Sequence, residues 1–231
     1  MRKYILMLVF LLGSITAQSQ ILITLLLGDK LNAPGLEFGL AGGMNWSNIG
    51  SLEAGKSLST FNLGFYFDIR MKEPWYLYTG IMVKSKMGVD KLSPGDLDFL
   101  QTDVYESAGD YSQVIKYFLL PVLVRYKFKN RIYLEAGAQF GLMHKPFVEF
   151  NSDVDNKDAR VREYNKDMIS RIDAGIMGGF GYKLFKDKGI SLGIKYYYGL
   201  VDVYKDKSGT NNRSLYITAT IPMGGEKKKK E

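Results

Sequence analysis

Two residue types that often perform catalysis, cysteine and histidine, are absent or nearly absent from this 231-residue chain. The chain has no cysteine, which excludes a thiol nucleophile, a thiolate metal cluster and a disulfide scaffold. Its single histidine is His144, and a hydrolase built on it would need a serine and usually an acid close by. Ser152 and Ser170 lie further along the chain, and nothing in the sequence brings either of them to His144. The sequence therefore predicts no enzymatic activity.

Two other patterns resemble ligand sites but lack the required spacing. Asp153, Asp155 and Asp158 are close in sequence, yet they do not follow the EF-hand calcium pattern. The glycine-rich run 175–181 lacks the GxGxxG spacing of a dinucleotide site, and no helical pattern follows it. We therefore expect neither a metal nor a cofactor.

The elements that must position these residues are strands, because apolar and polar side chains alternate in eight segments between residues 36 and 221. In the segment 61–72, Phe65 and Phe67 alternate with Asp68 and Arg70. The mean hydropathy of –0.12 fits such alternation, since each apolar residue is followed by a polar one. No stretch after the N-terminus is apolar over about 20 residues, as a membrane helix would need.

The connections between these segments predict the architecture. Short connections at 73–74, 129–130 and 185–188 alternate with long ones at 50–58, 88–114, 145–168 and 204–212. Short turns at one end and long loops at the other are typical of outer-membrane barrels. We therefore predict an all-β fold: an eight-stranded antiparallel up-and-down transmembrane β-barrel over residues 36–224, with short periplasmic turns and long extracellular loops. A secreted β-sandwich is the alternative.

In such a barrel the apolar face of each strand contacts lipid and the polar face lines the lumen. The polar faces carry charges of both signs. Charges that are buried in the lumen must pair with opposite charges. The lumen of an eight-stranded barrel is just wide enough for side chains to fill, so we predict no continuous aqueous pore. The predicted lumen charge network consists of Glu37, Asp68, Arg70, Lys84, Arg125, Glu135, Arg171, Asp173 and Lys195.

Both ends of the chain lie outside the predicted barrel. Residues 1–19 have the basic start, short apolar core and small residues before the cleavage site of a signal peptide. Residues 20–35 then form a predicted periplasmic segment, and residues 225–231 a basic periplasmic tail. Exposed apolar side chains in the first of these are costly, so they either close the barrel base or dock a partner. The docking candidates are Ile21, Leu22, Ile23, Leu25, Leu26 and Leu27.

The long connection 88–114 is strongly acidic. It carries six acids and a single basic residue, Lys91. We expect it to be solvated at the outer surface, with binding of cations or of a basic partner as the alternative.

The sequence also resembles a known family. Residues 20–32 (QILITLLLGDKLN), 36–40 (LEFGL) and 42–45 (GGMN) are similar to the PorT-like outer-membrane barrels of the Bacteroidetes, called "porin family" or "outer membrane protein beta-barrel domain". The run 117–128 (YFLLPVLVRYKF) resembles that family's Y-L-E-I-P-L-L-L-K-Y-K-F segment, with Leu119 in place of the acid. The resemblance implies the bacterial outer membrane and eight strands, but no single activity. The founding member is linked to type IX protein secretion.

Three functional hypotheses follow, and we favour the first. It is a non-enzymatic accessory or structural subunit of an envelope complex, of the secretion or assembly type. The alternative is a porin-like barrel that transports small solutes, and the third is an enzyme that modifies outer-membrane lipids through His144. The expected partners are outer-membrane lipids and outer-membrane or periplasmic proteins, and not nucleic acid, with both termini in the periplasm.

Overall fold

The computed structural model describes residues 35–154, 157–185 and 189–223, with the backbone alone at 153, 154, 157 and 158. The predicted signal peptide, the docking candidates 21–27 and the basic tail 225–231 lie outside the described residues. Within the described residues the elements are β1 (Leu36–Ile49), β2 (Lys56–Lys72), β3 (Trp75–Asp90), α1 (Pro94–Leu100), β4 (Asp110–Lys127), β5 (Ile132–Val154), β6 (Lys157–Glu163), β7 (Ile172–Lys183), β8 (Ser191–Asp202) and β9 (Asn211–Pro222).

Eight of these strands form a closed antiparallel ring, as predicted. Each strand pairs with the next in the order β1, β2, β3, β4, β5, β7, β8, β9. The ring closes where β1 pairs with β9, from Gly39 opposite Pro222 to Ile49 opposite Asn212. The remaining strand, β6, lies outside the ring and pairs only with the last part of β5. None of the helices in the described ranges is long and apolar enough to cross a membrane.

The alternation of side chains separates an outer face from a filled interior. On β4, the outward residues Phe118, Leu120 and Val124 are each about two-fifths exposed. Their inward neighbours Leu119 and Leu123 are 0 % exposed. This pattern repeats around the ring and gives a continuous apolar outer band, as a barrel in lipid requires.

The two ends of the barrel differ in the length of their connections. At one end, β2 joins β3 through residues 73–74 and β4 joins β5 through residues 128–131. We call this the short-turn end, and we call the opposite end the long-loop end. At the short-turn end the outer band finishes in aromatic rings, where Trp75 and Tyr126 meet edge to face at 4.8 Å between ring centroids. Interfacial aromatic belts of membrane proteins have this composition.

Two of the predicted long loops are largely regular structure. In the region 145–168, β5 continues to Val154 and forms a hairpin with β6. The strand continues because Val148 and Phe150 are inward and buried, so the hairpin extends the apolar interior.

The acidic connection 88–114 is not wholly a solvated loop. Ser93 and Asp96 form a reciprocal capping box at the start of α1, and Leu97 and Leu100 bury the helix against the interior. Asp96 is 2 % exposed, and it also accepts the backbone N–H of Glu53 at 3.1 Å. Asp96, one of the six acids, therefore stabilises the helix that lies over the mouth of the barrel. Residues 103–110 of the same connection are exposed, as expected for a solvated loop.

Candidate functional site

A compact ion-pair cluster crosses the lumen near the short-turn end. Its centre is Arg125 on β4, which reaches Asp68 of β2 (Nη1 to Oδ2, 2.9 Å) and Glu135 of β5 (Nη2 to Oε2, 2.7 Å). Lys195 of β8 places its Nζ 2.9 Å from Glu135 Oε1, and Lys127 places its Nζ 2.7 Å from Asp68 Oδ2. Ion pairs thus connect four strands across the barrel interior. We call these five residues the lumen cluster.

Strand register explains why these side chains meet. Arg125 and Glu135 are directly opposite each other in the pairing of β4 with β5, and both point inward. Aromatic rings complete the layer, with the Arg125 guanidinium carbon 4.2 Å from the Tyr78 ring centroid and 4.1 Å from that of Tyr133. A guanidinium between two ring faces gains cation–π attraction on both sides. The layer is therefore packed with side chains.

A cavity of about 170 Å³ lies between the lumen cluster and the short-turn end. Glu37 lines it and accepts a hydrogen bond from the Tyr66 hydroxyl at 2.8 Å, with the Lys183 Nζ 4.0 Å away. The charged residues that line it are mainly basic and include Lys129 and Arg131. Part of its wall is the buried Asp68–Arg125 pair.

The structure brings together some of the nine predicted network residues. Asp68, Arg125, Glu135 and Lys195 share the lumen cluster, and Glu37 lines the adjacent cavity. Asp173 is buried elsewhere in the lumen, where it accepts the Tyr197 hydroxyl at 2.7 Å. No described cation forms an ion pair with Asp173.

Lys84 was predicted to face the lumen, and this prediction is wrong. The pairing of β3 with β4 shifts between Met82 and Ser85, so Ser85 takes the inward position. Lys84 is exposed, with its Nζ 5.9 Å from the ring centroid of the outward Phe61.

Arg70 and Arg171 also lie outside the network, because both sit at strand ends where their charges reach water. Arg70 is at the rim of the short-turn end and pairs with the exposed Glu73 at 3.3 Å. Arg171 is exposed and immediately precedes β7 at the long-loop end. Neither side chain has to enter the lumen.

The predicted network left out Lys127 and the two rings beside Arg125. Lys127, Tyr78 and Tyr133 all occupy inward positions of the alternating strands, which is the signal that could have found them. Alternation shows only which face a side chain is on. The register between strands decides which side chains meet.

The other half of the lumen is closed by polar and then apolar layers. In the polar layer, the Asn62 Nδ2 donates to Asn45 Oδ1 at 2.8 Å and the Ser85 hydroxyl donates to Asn62 Oδ1 at 2.6 Å. Nearer the long-loop end, Met87, Ile115 and Leu97 belong to one buried apolar cluster.

The cluster also contains a buried tyrosine from the loop between β8 and β9. The Tyr204 hydroxyl donates to Gln113 Oε1 at 3.1 Å, and the ring of Phe99 from α1 packs edge-on against it at 5.2 Å. Burial, together with the nearby Asp96, raises the pKa of Tyr204, so its hydroxyl remains a neutral donor. The long-loop end is thus closed by packed and hydrogen-bonded side chains.

The single histidine lies on the outer surface. His144 is exposed and stacks on the outward Phe118 at 4.7 Å between ring centroids. Ser152 donates its hydroxyl to the Ala108 carbonyl at 2.6 Å. The described residues contain no group of three or more His, Cys, Asp or Glu side chains that could hold a metal ion.

Comparison with known proteins gives a family for this architecture. The family model described as "Outer membrane protein beta-barrel domain" matches residues 17–205. No curated protein matches the chain.

Several solved structures are similar at low sequence identity. Ail, the attachment invasion locus protein of Yersinia pestis, is 11% identical, with 82% of this chain and 99% of that chain covered and a TM-score of 0.42. Neisserial surface protein A (NspA) is 10% identical, with 81% and 99% covered and a TM-score of 0.41. The outer membrane protein OprG from Pseudomonas aeruginosa is 13% identical, with 81% and 91% covered and a TM-score of 0.35.

Proposed function

The chain belongs to the outer membrane protein beta-barrel domain family, and from that premise we propose that it is a non-enzymatic, non-conducting accessory or structural subunit of an envelope complex. The observation that carries this proposal is the filling of the lumen at both ends. The lumen cluster occupies one end, and the apolar cluster under α1 occupies the other. A barrel with a filled lumen interacts with other molecules through its outer surface and its two ends.

The filled lumen weighs against the porin-like alternative. A solute channel needs a continuous aqueous path, which wide barrels provide and an eight-stranded barrel fills with side chains. Opening a path through this barrel would break the contacts of Arg125 with Asp68 and Glu135. Separating buried, paired charges is strongly unfavourable.

The proposed complex is of the PorT-like type of the Bacteroidetes, with both termini in the periplasm. The similarity of residues 36–45 and 117–128 to that family supports this assignment. The ring also begins at Leu36 and ends at Pro222, both at the short-turn end, which faces the periplasm in outer-membrane barrels. A signal peptide at residues 1–19 would deliver the chain to that compartment.

The proposed docking surface for a protein partner is at the short-turn end. Lys129 and Arg131 form a basic rim there, around the cavity next to the lumen cluster. The chain reaches Leu36 from the apolar residues 21–27, so these residues are attached to the same end. A periplasmic or outer-membrane protein with an acidic and partly apolar surface would match both features.

Affinity purification from mild detergent after crosslinking, with mass spectrometry, tests the proposal. We expect the wild-type chain to retain large envelope proteins, and a Leu22→Ser/Leu25→Ser/Leu26→Ser variant to lose most of them. A Lys56→Ser/Lys166→Ser/Lys205→Ser variant is the matched control, because it changes three exposed residues at the opposite end. Recovery of the wild-type chain alone after crosslinking would rule the proposal out.

The enzymatic alternative is tested separately through His144. The imidazole stacks on the outward Phe118 and is close to Lys116 and Lys145. We expect a His144→Ala strain to have unchanged outer-membrane lipids by mass spectrometry. A missing or new lipid species would restore the enzymatic hypothesis.

A further inference from the structure

Three lysines lie directly opposite one another on the outer face of β3, β4 and β5. Lys86 pairs in register with Lys116, and Lys116 pairs with Lys145. We call these three residues the lysine row. Their chain neighbours Met87, Ile115 and Pro146 pair with one another in register and are buried, so the row faces outward.

The lysine row is unfavourable by itself. Like charges directly opposite each other destabilise a sheet, and here two such pairs are adjacent. The charges acting on Lys86 are those of Lys116, Arg162 and Lys84, with Glu149 as the acid among them. Glu149 is already engaged by Arg162 at 2.5 Å and by Arg160 at 3.8 Å. None of the three lysines forms an ion pair with any described residue.

Two further acids on this face lie toward the long loops and are engaged by other residues. Asp90 on β3 accepts the Ser112 hydroxyl at 2.6 Å, and Asp110 on β4 pairs with Lys91 at 3.2 Å. The surface around the row is therefore clearly positive. A bound anion would remove the repulsion.

Aromatic side chains hold part of this basic surface in place. The Phe147 ring is 1 % exposed, with Lys116 Nζ 6.0 Å and the Arg162 guanidinium carbon 4.8 Å from its centroid. Lys145 Nζ lies 5.0 Å from the centroid of Tyr164. These contacts orient the long cationic side chains on the outer face.

The apolar outer band begins next to the lysine row on the same strands. Val83, Phe118 and Leu142 are the outward residues on the side of the short-turn end, and each is about two-fifths exposed. They continue into Leu120 and Phe140 along the strands. A molecule that contacts the whole surface needs an anionic head and apolar chains.

We propose that the lysine row binds the phosphate groups of an outer-leaflet glycolipid of the lipid A type, whose acyl chains lie on Val83, Phe118 and Leu142. Ammonium groups form strong charge-assisted hydrogen bonds to phosphate oxygens. A soluble anion would contact only the lysine row. The adjoining apolar band favours a lipid, whose acyl chains can pack against it. This inference rests on the proposed orientation, in which the long loops are extracellular.

Binding of purified lipid A to the full-length protein in neutral detergent tests the inference. Native mass spectrometry would compare bisphosphorylated lipid A, its dephosphorylated form and inorganic phosphate. We expect binding of the first only, weakened by salt, and reduced at least about tenfold in a Lys86→Gln/Lys116→Gln/Lys145→Gln variant, given the contribution of each cation near an anionic lipid. Equal binding of dephosphorylated lipid A, or equal affinity of inorganic phosphate, would overturn the proposal.

The control variant is Lys56→Gln/Lys166→Gln/Lys205→Gln, which removes the same charge from exposed positions outside the row. We expect it to bind as the wild type does. Without lipid, the row variant should unfold about as easily as the wild type, since it loses the repulsion between the lysines together with the cation–π contacts of Lys116 and Lys145. Unchanged lipid binding in the row variant would reject the site. The assay needs no protein partner, so its result is independent of the purification experiment.

Discussion

Arg125 shows what single residues contribute to this fold and how far the sequence predicts them. The alternation of β4 places it inward, and the need to pair buried charges predicts acids around it. Asp68 and Glu135 are the partners found. Lys84 could not be placed in the same way, because the shift between Met82 and Ser85 depends on how β3 pairs with β4.

Removing the centre of the lumen cluster leaves two buried carboxylates with fewer partners. We expect Arg125→Ala to lower the free energy of unfolding by about 3–5 kcal/mol, as for other broken buried ion pairs. Arg70→Ala, which removes a pair with the exposed Glu73, should cost less than about 1 kcal/mol. Urea unfolding in lipid vesicles, followed by tryptophan fluorescence, measures both. Equal stability of the two variants would show that the cluster does not stabilise the barrel.

Inward glycines allow close approach of neighbouring strands at particular points. A Cβ at the inward Gly64 would lie 2.1 Å from the Ile81 carbonyl oxygen, whereas one at Gly178, on the outer face of β7, would meet nothing nearer than the Glu135 carbonyl oxygen at 3.8 Å. We expect Gly64→Ala to cost about 1–3 kcal/mol through forced strand movement, and Gly178→Ala to cost much less. The same urea titration distinguishes them, and a larger loss for Gly178→Ala would contradict the packing described here.

At the scale of elements, the strands were predictable and the long-loop end was not. Period-two alternation located every ring strand, but it gave β5 too early an end and missed β6. The helix α1 has 7 residues, too few for a clear helical period. Its signal was the capping pattern Ser93-Pro94-Gly95-Asp96, which is easily overlooked in a run of acids.

The cap residue Asp96 makes α1 sensitive to one side chain. Asp96 accepts the backbone N–H groups of both Ser93 and Glu53, at 3.1 Å each. We expect Asp96→Ala to increase amide hydrogen exchange in α1 and at residues 52–54 at least about fivefold, since a lost cap costs about 1 kcal/mol. Asp98→Ala in the exposed face of the same helix is the control. Equal protection in the two variants would mean that the cap is dispensable.

At the scale of the whole molecule, the two ends of the barrel differ in structure. The short-turn end holds both ends of the ring and the basic cavity, and the long-loop end holds α1 and the β5–β6 hairpin. The alternation of short and long connections predicted this polarity from the sequence. The filling of the lumen was predicted from strand number, but the identity of its layers required the register.

Orientation in the membrane can be tested because the chain has no cysteine. We expect a membrane-impermeant maleimide to label Lys207→Cys, between β8 and β9, on intact cells. Asn130→Cys, in the turn between β4 and β5, should be labelled only after the outer membrane is permeabilised. The reverse labelling would place the long loops in the periplasm.

Planar-bilayer recording of the purified full-length protein tests the central claim most directly. Arg125, Glu135 and Lys195 fill one end of the lumen, and the buried cluster under α1 fills the other. We therefore expect no steady conductance at either polarity, while a wide porin reconstituted in parallel conducts. Steady, voltage-independent openings of the wild-type protein would contradict a sealed barrel.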